Sequence, residues 1–159
     1  MGSDEWMRIA ADIMRSAQYC FLVTVGEDNR ANARLMEPLG PDPDMTVWFG
    51  ASPRSRKICE IRARGQATVC YESVDERAYV TLLGSARIVD DPELRRQYWK
   101  RRWEPFWPAG PLGDDYVLIA VTPDRIELMS VKQGVMPDPL TRPACLVRSE
   151  DGWKPLDEA

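Results

Sequence analysis

The cations best placed to do chemistry in this sequence lie in FGASPRSRKICEI, where a helix is expected to begin. Arg54, Arg56 and Lys57 crowd its first turn, where each would cost roughly a few tenths of a kcal/mol beside the positive end of the helix dipole. A bound phosphate reverses this cost, because it accepts charge-assisted hydrogen bonds from the cations and from free backbone N–H groups. The alternative, equally compatible with this segment, is that the cations extend into solvent and pair with neighbouring carboxylates.

Capping residues define the predicted limits of this helix. Ser52 is expected at the N-cap, Pro53 at the first helical position and Ser55 two residues later. The helix is predicted to end near Arg64, with Gly65 in the C-terminal capping position. The N–H groups of its first turn have no intrahelical partners, so this end of the helix attracts anions.

A further cation, Arg34, interrupts the otherwise apolar segment ANARLMEPL, residues 31–39. A single arginine in a strand commonly points into solvent, and that is the alternative here. The hairpin predicted for YCFLVTV, EDNR and this segment would instead bring Arg34 beside WFGAS. Two cationic elements would then surround one anion.

Composition narrows the remaining possibilities. The 159 residues suffice for one domain and are too few for two ordinary ones, so residues 1–159 are expected to form a single domain. A net charge of -4 argues against nucleic acid as the main partner. The chain has no apolar run of membrane-spanning length and no export signal at its start, so a cytoplasmic protein without membrane attachment is expected.

The absence of histidine restricts the available chemistry. It excludes Ser-His-Asp and Cys-His nucleophiles and His-ligated metals. The cysteines lack metal-ligand spacing and are expected to be reduced core thiols, so no metal site is predicted; they are Cys20, Cys59, Cys70 and Cys145. Because no side chain stands out as a catalytic acid or base, a reaction would depend on a borrowed cofactor.

The hydrophobic pattern predicts three helices and six strands. The helices are expected in residues 1–18, in the cationic segment and in DPELRRQYWKRRW, which begins with Asp91 and Pro92 as capping residues. The strands are expected in residues 19–25, 31–39, 45–50, 66–73, 77–90 and 116–131, the last interrupted near Pro123. The tail, residues 135–159, is predicted to be irregular. Hairpin spacing without regular alternation of helices favours an α+β, mainly β fold with an antiparallel barrel core.

The segment RRQYWKRRW interleaves cations with aromatic residues, a pattern that suits single-stranded nucleic acid through phosphate contacts and stacking. The favoured interpretation is an amphipathic helix with its aromatic side chains against the barrel and its arginines in water, because the whole chain is acidic.

Taken in order, ARLMEP, VWFGASPRSRKICEI, YVTLLGSARIVDD, FWPAGP and PDRIELM resemble the FMN-binding split-barrel family of pyridoxamine 5'-phosphate oxidase, in its general stress protein branch. The resemblance extends from the first helix to about Met129. It implies a six-stranded antiparallel split β-barrel with peripheral helices. It also implies a homodimer that binds FMN in the groove between its subunits.

The resemblance implies the residues that contact the FMN. Arg34 matches the family's strand arginine, and the strand edge along the isoalloxazine ring corresponds to Leu35, Met36 and Glu37. The element that binds the FMN phosphate corresponds to Ser55, Arg56 and Lys57.

The chain departs from the family pattern at several of these positions. Ala51 and Ser52 occupy the place of a threonine and a polar residue, so one phosphate-binding hydroxyl is lost. Tyr79 stands where the larger branch has a glutamine near the flavin. Trp107, in the aromatic loop EPFWPAGP, would either cover the flavin or substrate pocket, or fill the edge of the core or the subunit contact.

The implied function is that of an FMN-dependent oxidoreductase acting on an unidentified small molecule, with a nicotinamide cofactor or another small reductant as electron donor. The R-x-H element that grips the substrate of true pyridoxamine phosphate oxidases is missing, so vitamin B6 oxidation is not expected. Two alternatives remain open. One is a non-catalytic, stress-related FMN-binding protein, and the other is a reductase that uses F420, whose longer acidic tail would also suit the cations.

Overall fold

The computed structural model describes residues 1–138 and 141–156 of the chain. The strands there are β1 (Cys20–Val25), β2 (Ala31–Met36), β3 (Val47–Ala51), β4 (Gln66–Ser73), β5 (Ala78–Val89), β6 (Val117–Ser130), β7 (Ala144–Ser149) and β8 (Gly152–Pro155). The helices are α1 (Ser3–Ser16), α2 (Arg56–Arg64) and α3 (Pro92–Tyr98), followed by a 3-10 turn at Arg101–Trp103. Among these helices, none is long and apolar enough to cross a membrane.

All the strands belong to one open antiparallel sheet. Their order is β2-β1-β4-β5-β6-β7-β8, and β3 pairs with β6 off this path. The predicted hairpin of β1 and β2 is present, with Leu35 opposite Phe21. The predicted α+β, mainly β class is therefore confirmed, and the open sheet is consistent with a split barrel. The count of strands was wrong: there are eight in the described residues instead of six.

The two additional strands lie in the tail predicted to be irregular, and that prediction was wrong. β7 pairs with β6, and β8 pairs with β7. Ala144 and Leu146 are buried in the main core, which compensates for ordering this segment. The prolines at 137, 139 and 143 argue against a strand when the sequence is taken alone. β7 forms nevertheless, because it pairs with β6, which is distant in the chain.

The long strands β5 and β6 pair with each other, and β6 pairs with different strands along its two halves. The first part of β6 pairs with β3, from Val117 to Val121, and its second part pairs with β7, from Arg125 to Leu128. The register of β5 against β6 shifts between Leu83 and Gly84. The predicted interruption near Pro123 was wrong, since β6 runs continuously through it, and the irregularity is instead this shift in pairing.

The main core lies between the sheet, α1 and α2. The apolar stripe of α1 buries Ile9, Ile13 and Met14 against it. Burying a side chain of this size contributes about 1.5–3 kcal/mol. Of the cysteines, only Cys20 is buried and Cys59 is exposed, so the prediction of core thiols holds for one of them; all four are free.

A second, aromatic core lies on the other side of β3 and β6. α3 begins as predicted, with the Asp91 carboxylate accepting a hydrogen bond from Leu94 N at 3.0 Å. Tyr98 at the end of α3 stacks on Trp48 at 4.6 Å between ring centroids. Trp103 is buried in the same core. The aromatic residues of RRQYWKRRW thus pack against the sheet, as the amphipathic interpretation predicted. Its prediction that the arginines lie in water was wrong for Arg95, which is buried and forms an ion pair with Asp90.

Candidate phosphate-binding site

The predicted beginning of α2 was wrong by three residues. The helix starts at Arg56 with Ser55 as its N-cap, and Ser52 to Ser55 form a turn in front of it. The Ser55 N–H donates to the Ser52 carbonyl at 3.1 Å, and the Ser55 hydroxyl donates to the same oxygen at 2.8 Å. This turn places Arg54 outside the helix, with its side chain exposed. Gly65 closes α2 as predicted, in the left-handed conformation with φ of 64°.

The N-terminus of α2 has free backbone donors. Ser55 makes no side-chain capping hydrogen bond, because its hydroxyl is used as a donor to Ser52. The first turn contains no acidic residue. Its Ile58 N–H bonds to the Ser55 carbonyl at 3.1 Å, and within the described residues the N–H groups of Arg56 and Lys57 remain available to an anion.

Arg34 on β2 joins the cations of α2. It does not extend freely into solvent: its Nη1 donates to the Thr24 hydroxyl at 2.6 Å and to the Leu22 carbonyl at 3.3 Å. Burial lowers the pKa of Arg34, Glu60 raises it, and Arg56 lowers it further. The structure therefore brings Arg34 into the electrostatic neighbourhood of α2. Its predicted position beside WFGAS stays a prediction.

Glu60 is the centre of this neighbourhood, and the sequence analysis missed it. Only 7% of the residue is exposed. Its carboxylate accepts from the Thr24 hydroxyl at 2.9 Å and from Asn32 Nδ2 at 3.0 Å. Arg56 Nε lies 3.2 Å from the Glu60 Oε1 atom. The i,i+4 spacing of Arg56 and Glu60 on one helix was the signal that would have indicated the ion pair.

Lys57 differs from its neighbours because it is left unpaired. Its side chain is half-buried and makes no hydrogen bond or ion pair with any residue that the structure describes. Burial lowers the pKa of Lys57 from 10.5, and the charge of Arg34 lowers it further. Three cations, Arg34, Arg56 and Lys57, stand against the single carboxylate of Glu60, which leaves a net charge of +2.

A cleft of about 740 Å³ adjoins this cluster between α2 and the β1–β2 hairpin. Arg56 and Glu60 of the cluster line it, together with Asn32 and the acidic residues Glu27 and Asp28. Its volume falls in the range of small-molecule sites. In the described part of the chain, no group of three or more Cys, Asp or Glu residues is arranged to hold a metal ion.

The strand edge predicted to follow a flavin ring lies beside the cluster. Leu35 is 57% exposed on β2, and Met36 is half-buried. Glu37 forms an ion pair with Arg102 and accepts from Trp103 Nε1 at 3.5 Å. One end of this edge is therefore anchored to the aromatic core.

The remaining predicted residues are Ala51, Ser52, Trp107 and Tyr79, and they lie on different elements. Ala51 is buried at the end of β3, and Ser52 follows it, half-buried. Trp107 packs on Trp103 and Tyr116 and lies against Gly50 of β3, so it forms part of the aromatic core. Tyr79 pairs with Glu72 and Met129 within the sheet, and in the described residues no hydrogen bond joins it to the cations. Burial raises the pKa of Tyr79, and Glu127 raises it further.

Solved structures share this fold at low sequence identity. General stress protein 26 from Bacillus anthracis is 22% identical, with a TM-score of 0.69 over 79% of this chain and 94% of that one. A related protein from Clostridium acetobutylicum is 17% identical, with a TM-score of 0.72 over 82% and 92%. A pyridoxamine 5'-phosphate oxidase-related, FMN binding protein from Nostoc punctiforme is 16% identical, with a TM-score of 0.65 over 97% and 96%.

Sequence comparison supports the same relationship. No curated protein matches the chain significantly. The family described as "Pyridoxamine 5'-phosphate oxidase like" matches residues 5–137, which include every strand from β1 to β6 and the whole cationic cluster. The chain belongs to the pyridoxamine 5'-phosphate oxidase-like family.

Proposed function

We propose that this protein binds FMN and acts as an FMN-dependent oxidoreductase on a small molecule. The observation that carries the proposal is the +2 cluster with an unpaired, half-buried Lys57 beside the uncapped end of α2. An isolated cation in such a place is unfavourable, and a phosphate supplies the missing partner. The FMN-binding description of the related Nostoc protein supports the same ligand.

In this proposal each part of the site binds one part of FMN. Arg34, Arg56 and Lys57 hold the phosphate together with the free backbone N–H groups at the start of α2 and the Ser52 hydroxyl. Arginine provides paired donors for phosphate oxygens, and lysine provides a compact charge. The isoalloxazine ring lies along the edge formed by Leu35, Met36 and Glu37, beyond Ala51.

The chain's residues bind and orient the cofactor, and bound FMN supplies the hydride or electron transfer. Among the described carboxylates near the cations, Glu60 is already bonded to its neighbours, and Glu27 and Asp28 lie in the exposed β1–β2 turn. None of them stands out as a dedicated acid or base. That observation favours one second candidate, an FMN-binding protein without turnover. Since the chain contains no histidine, the R-x-H substrate element of vitamin B6 oxidases is missing, and we expect no oxidation of pyridoxamine 5'-phosphate.

We further propose a cytoplasmic homodimer with FMN in the groove between subunits. Where β1 and β2 pair, one face of the sheet is uncovered and carries large apolar side chains: Phe21 is 48% exposed, and Leu35, directly opposite, is 57% exposed. Exposed apolar pairs of this kind mark interaction surfaces. A second copy of the chain on this face would enclose the strand edge and bring Tyr79 and Trp107 toward the groove.

The visible spectrum of freshly purified protein tests the proposal. We expect the paired bands of oxidised flavin, or their perturbation when FMN is added to colourless protein. A protein that neither carries flavin nor binds added FMN would overturn the assignment. Tighter binding of F420 than of FMN in the same titration would replace FMN with the deazaflavin.

Anaerobic mixing with NADH or NADPH separates the enzyme from the protein without turnover. Bleaching of the flavin absorbance, followed by reoxidation with an electron acceptor, is expected of an oxidoreductase. A bound flavin that stays oxidised with both donors would support the non-catalytic candidate.

A further inference from the structure

We infer that Glu60 is a positioning residue of the phosphate site, which orders Arg34 and Arg56 and sets the charge of the site to suit a phosphomonoester dianion. The inference rests on the proposed function, since it concerns the ligand of the same cations. Glu60 itself is buried, and its carboxylate is bonded to protein groups.

The burial of Glu60 makes its contacts obligatory. A buried carboxylate without partners costs several kcal/mol, so its three donors are held firmly in place. They come from three elements: Thr24 on β1, Asn32 on β2 and Arg56 on α2. Glu60 therefore fixes α2 relative to the hairpin that carries Arg34.

The orientation of Arg34 depends on Glu60 through one hydroxyl. Thr24 has a single hydroxyl proton, which it donates to the Glu60 carboxylate at 2.9 Å. Its oxygen then accepts from Arg34 Nη1 at 2.6 Å. The direction of this chain is fixed, because the guanidinium can only donate and the carboxylate can only accept.

Lys57 is the cation that Glu60 does not engage. The carboxylate cancels one of the three positive charges and leaves a surplus of two, with the ammonium group free. A phosphomonoester carries about -1.5 to -2 at neutral pH and matches that surplus. A phosphodiester group carries only one charge, so the site favours a terminal phosphate such as that of FMN.

Glu60→Gln gives a test in which two physical effects have opposite signs. Removing a negative charge beside an anion site should strengthen FMN binding if charge alone matters. If Glu60 acts by positioning the arginines, FMN binding should instead weaken. The amide NH2 group would face the N–H donors of Asn32 and Arg56, so these hydrogen bonds would be lost and the arginines would no longer be held in place. We expect FMN to bind about tenfold more weakly, the loss typical of a hydrogen bond to a charged group. Riboflavin affinity should stay within about twofold, because riboflavin lacks the phosphate.

A second pair of variants tests the hydrogen bonds that link Glu60 to Arg34 through Thr24. It keeps the inference testable if Glu60→Gln does not fold. Thr24→Val keeps the shape of the side chain and removes the hydroxyl, whereas Thr24→Ser keeps the hydroxyl. We expect weaker FMN binding in the first and wild-type binding in the second. Glu150→Gln, at an exposed glutamate between β7 and β8, removes the same charge without these contacts and should leave FMN affinity unchanged.

The measurement is the ratio of riboflavin to FMN dissociation constants, obtained by flavin fluorescence titration of each full-length variant. A ratio that falls in Glu60→Gln and Thr24→Val alone supports the inference. If both variants bind FMN as wild type does, or more tightly, the inference fails while the proposed function stands. An equal loss of FMN and riboflavin affinity would show a structural role and overturn it. A wild-type protein that does not bind FMN contradicts the proposed function itself.

Discussion

Gly84 on β5 and Thr122 on β6 approach so closely that no side chain fits between them. A Cβ atom at position 84 would lie 2.1 Å from the Thr122 carbonyl oxygen and 2.6 Å from the Cα of Pro123. The contact coincides with the register shift of β5 against β6. It lies where β6 passes from pairing with β3 to pairing with β7, so glycine at this position allows one strand to serve both parts of the sheet.

Gly84→Ala should therefore destabilise the fold. The backbone atoms it meets cannot rotate away as a side chain would, and we expect a loss of about 3 kcal/mol or more in the free energy of unfolding. Urea denaturation followed by tryptophan fluorescence measures it. Ser85→Ala, at the exposed neighbouring residue, is the control and should change stability by less than about 0.5 kcal/mol. An unchanged urea midpoint in Gly84→Ala would contradict the close approach.

Lys57→Met should have opposite effects on stability and on binding. The variant removes an unpaired, half-buried charge, so the ligand-free protein should be as stable as wild type or more so. FMN affinity should fall by about tenfold to a hundredfold, the loss of a charged hydrogen bond to the phosphate. Thermal unfolding and flavin titration measure the two effects. Lys132→Met, at an exposed lysine, is the control and should change neither the stability nor the FMN affinity. A Lys57→Met protein that is destabilised but binds FMN as wild type does would count against the site.

FMN binding should weaken as the pH rises through the lowered pKa of Lys57 toward 10.5. A bound phosphate favours the ammonium form, which is complete below that pKa and lost above it. Arginine side chains in general keep their charge throughout this range. Titrations between about pH 7 and 10 should show this decline in wild type and not in Lys57→Met. Parallel curves for the two proteins would exclude Lys57 as its source.

The same shift has a consequence for stability without ligand. Because the pKa of Lys57 is lowered in the folded state, the unfolded chain binds more protons between the two pKa values. The contribution of Lys57 to the free energy of unfolding should therefore rise with pH in that window. The difference between wild type and Lys57→Met in urea denaturation should shrink as the pH approaches 10.5. A constant difference would indicate an ordinary lysine.

Leu35→Glu should dissociate the proposed homodimer. Leu35 is opposite Phe21 on the uncovered face, and a charge there would have to be buried without a partner. We expect a monomer by light scattering coupled to size exclusion, with weaker FMN binding. Leu112→Glu alters a residue of similar exposure, 49%, in the loop before β6, and should remain dimeric. A Leu35→Glu protein that stays dimeric would place the interface elsewhere.

Local patterns predicted most of the secondary structure. The apolar stripe of α1, the alternation in β1 and β2 and the caps at Asp91 and Gly65 all depend on residues a few positions apart. The beginning of α2 was misplaced because Ser52 and Ser55 are both suitable caps. Ser55 becomes the N-cap because residues 52–55 form a turn, which the hydrogen bond from the Ser55 hydroxyl to the Ser52 carbonyl stabilises.

The C-terminal hairpin could not be predicted in this way. β7 forms on the edge of β6, and Arg148 secures it by donating to the Pro123 carbonyl at 2.9 Å and to the Asp44 carbonyl at 2.7 Å. These partners lie 25 and 104 residues away in the chain. Such contacts leave no periodic signal in the segment itself.

The sequence by itself determined the α+β class, the order of the first six strands and the three cations that converge on one site. Only the tertiary structure decided which of those cations is free to bind a ligand. Glu60 is 36 residues from Thr24 and 28 from Asn32, and it meets them because α2 packs against β1. Because a buried carboxylate must be paired, Glu60 occupies Arg56 directly and Arg34 through Thr24. Among the residues that the structure describes, this leaves Lys57 without a partner, since the fold brings no second carboxylate to its side chain.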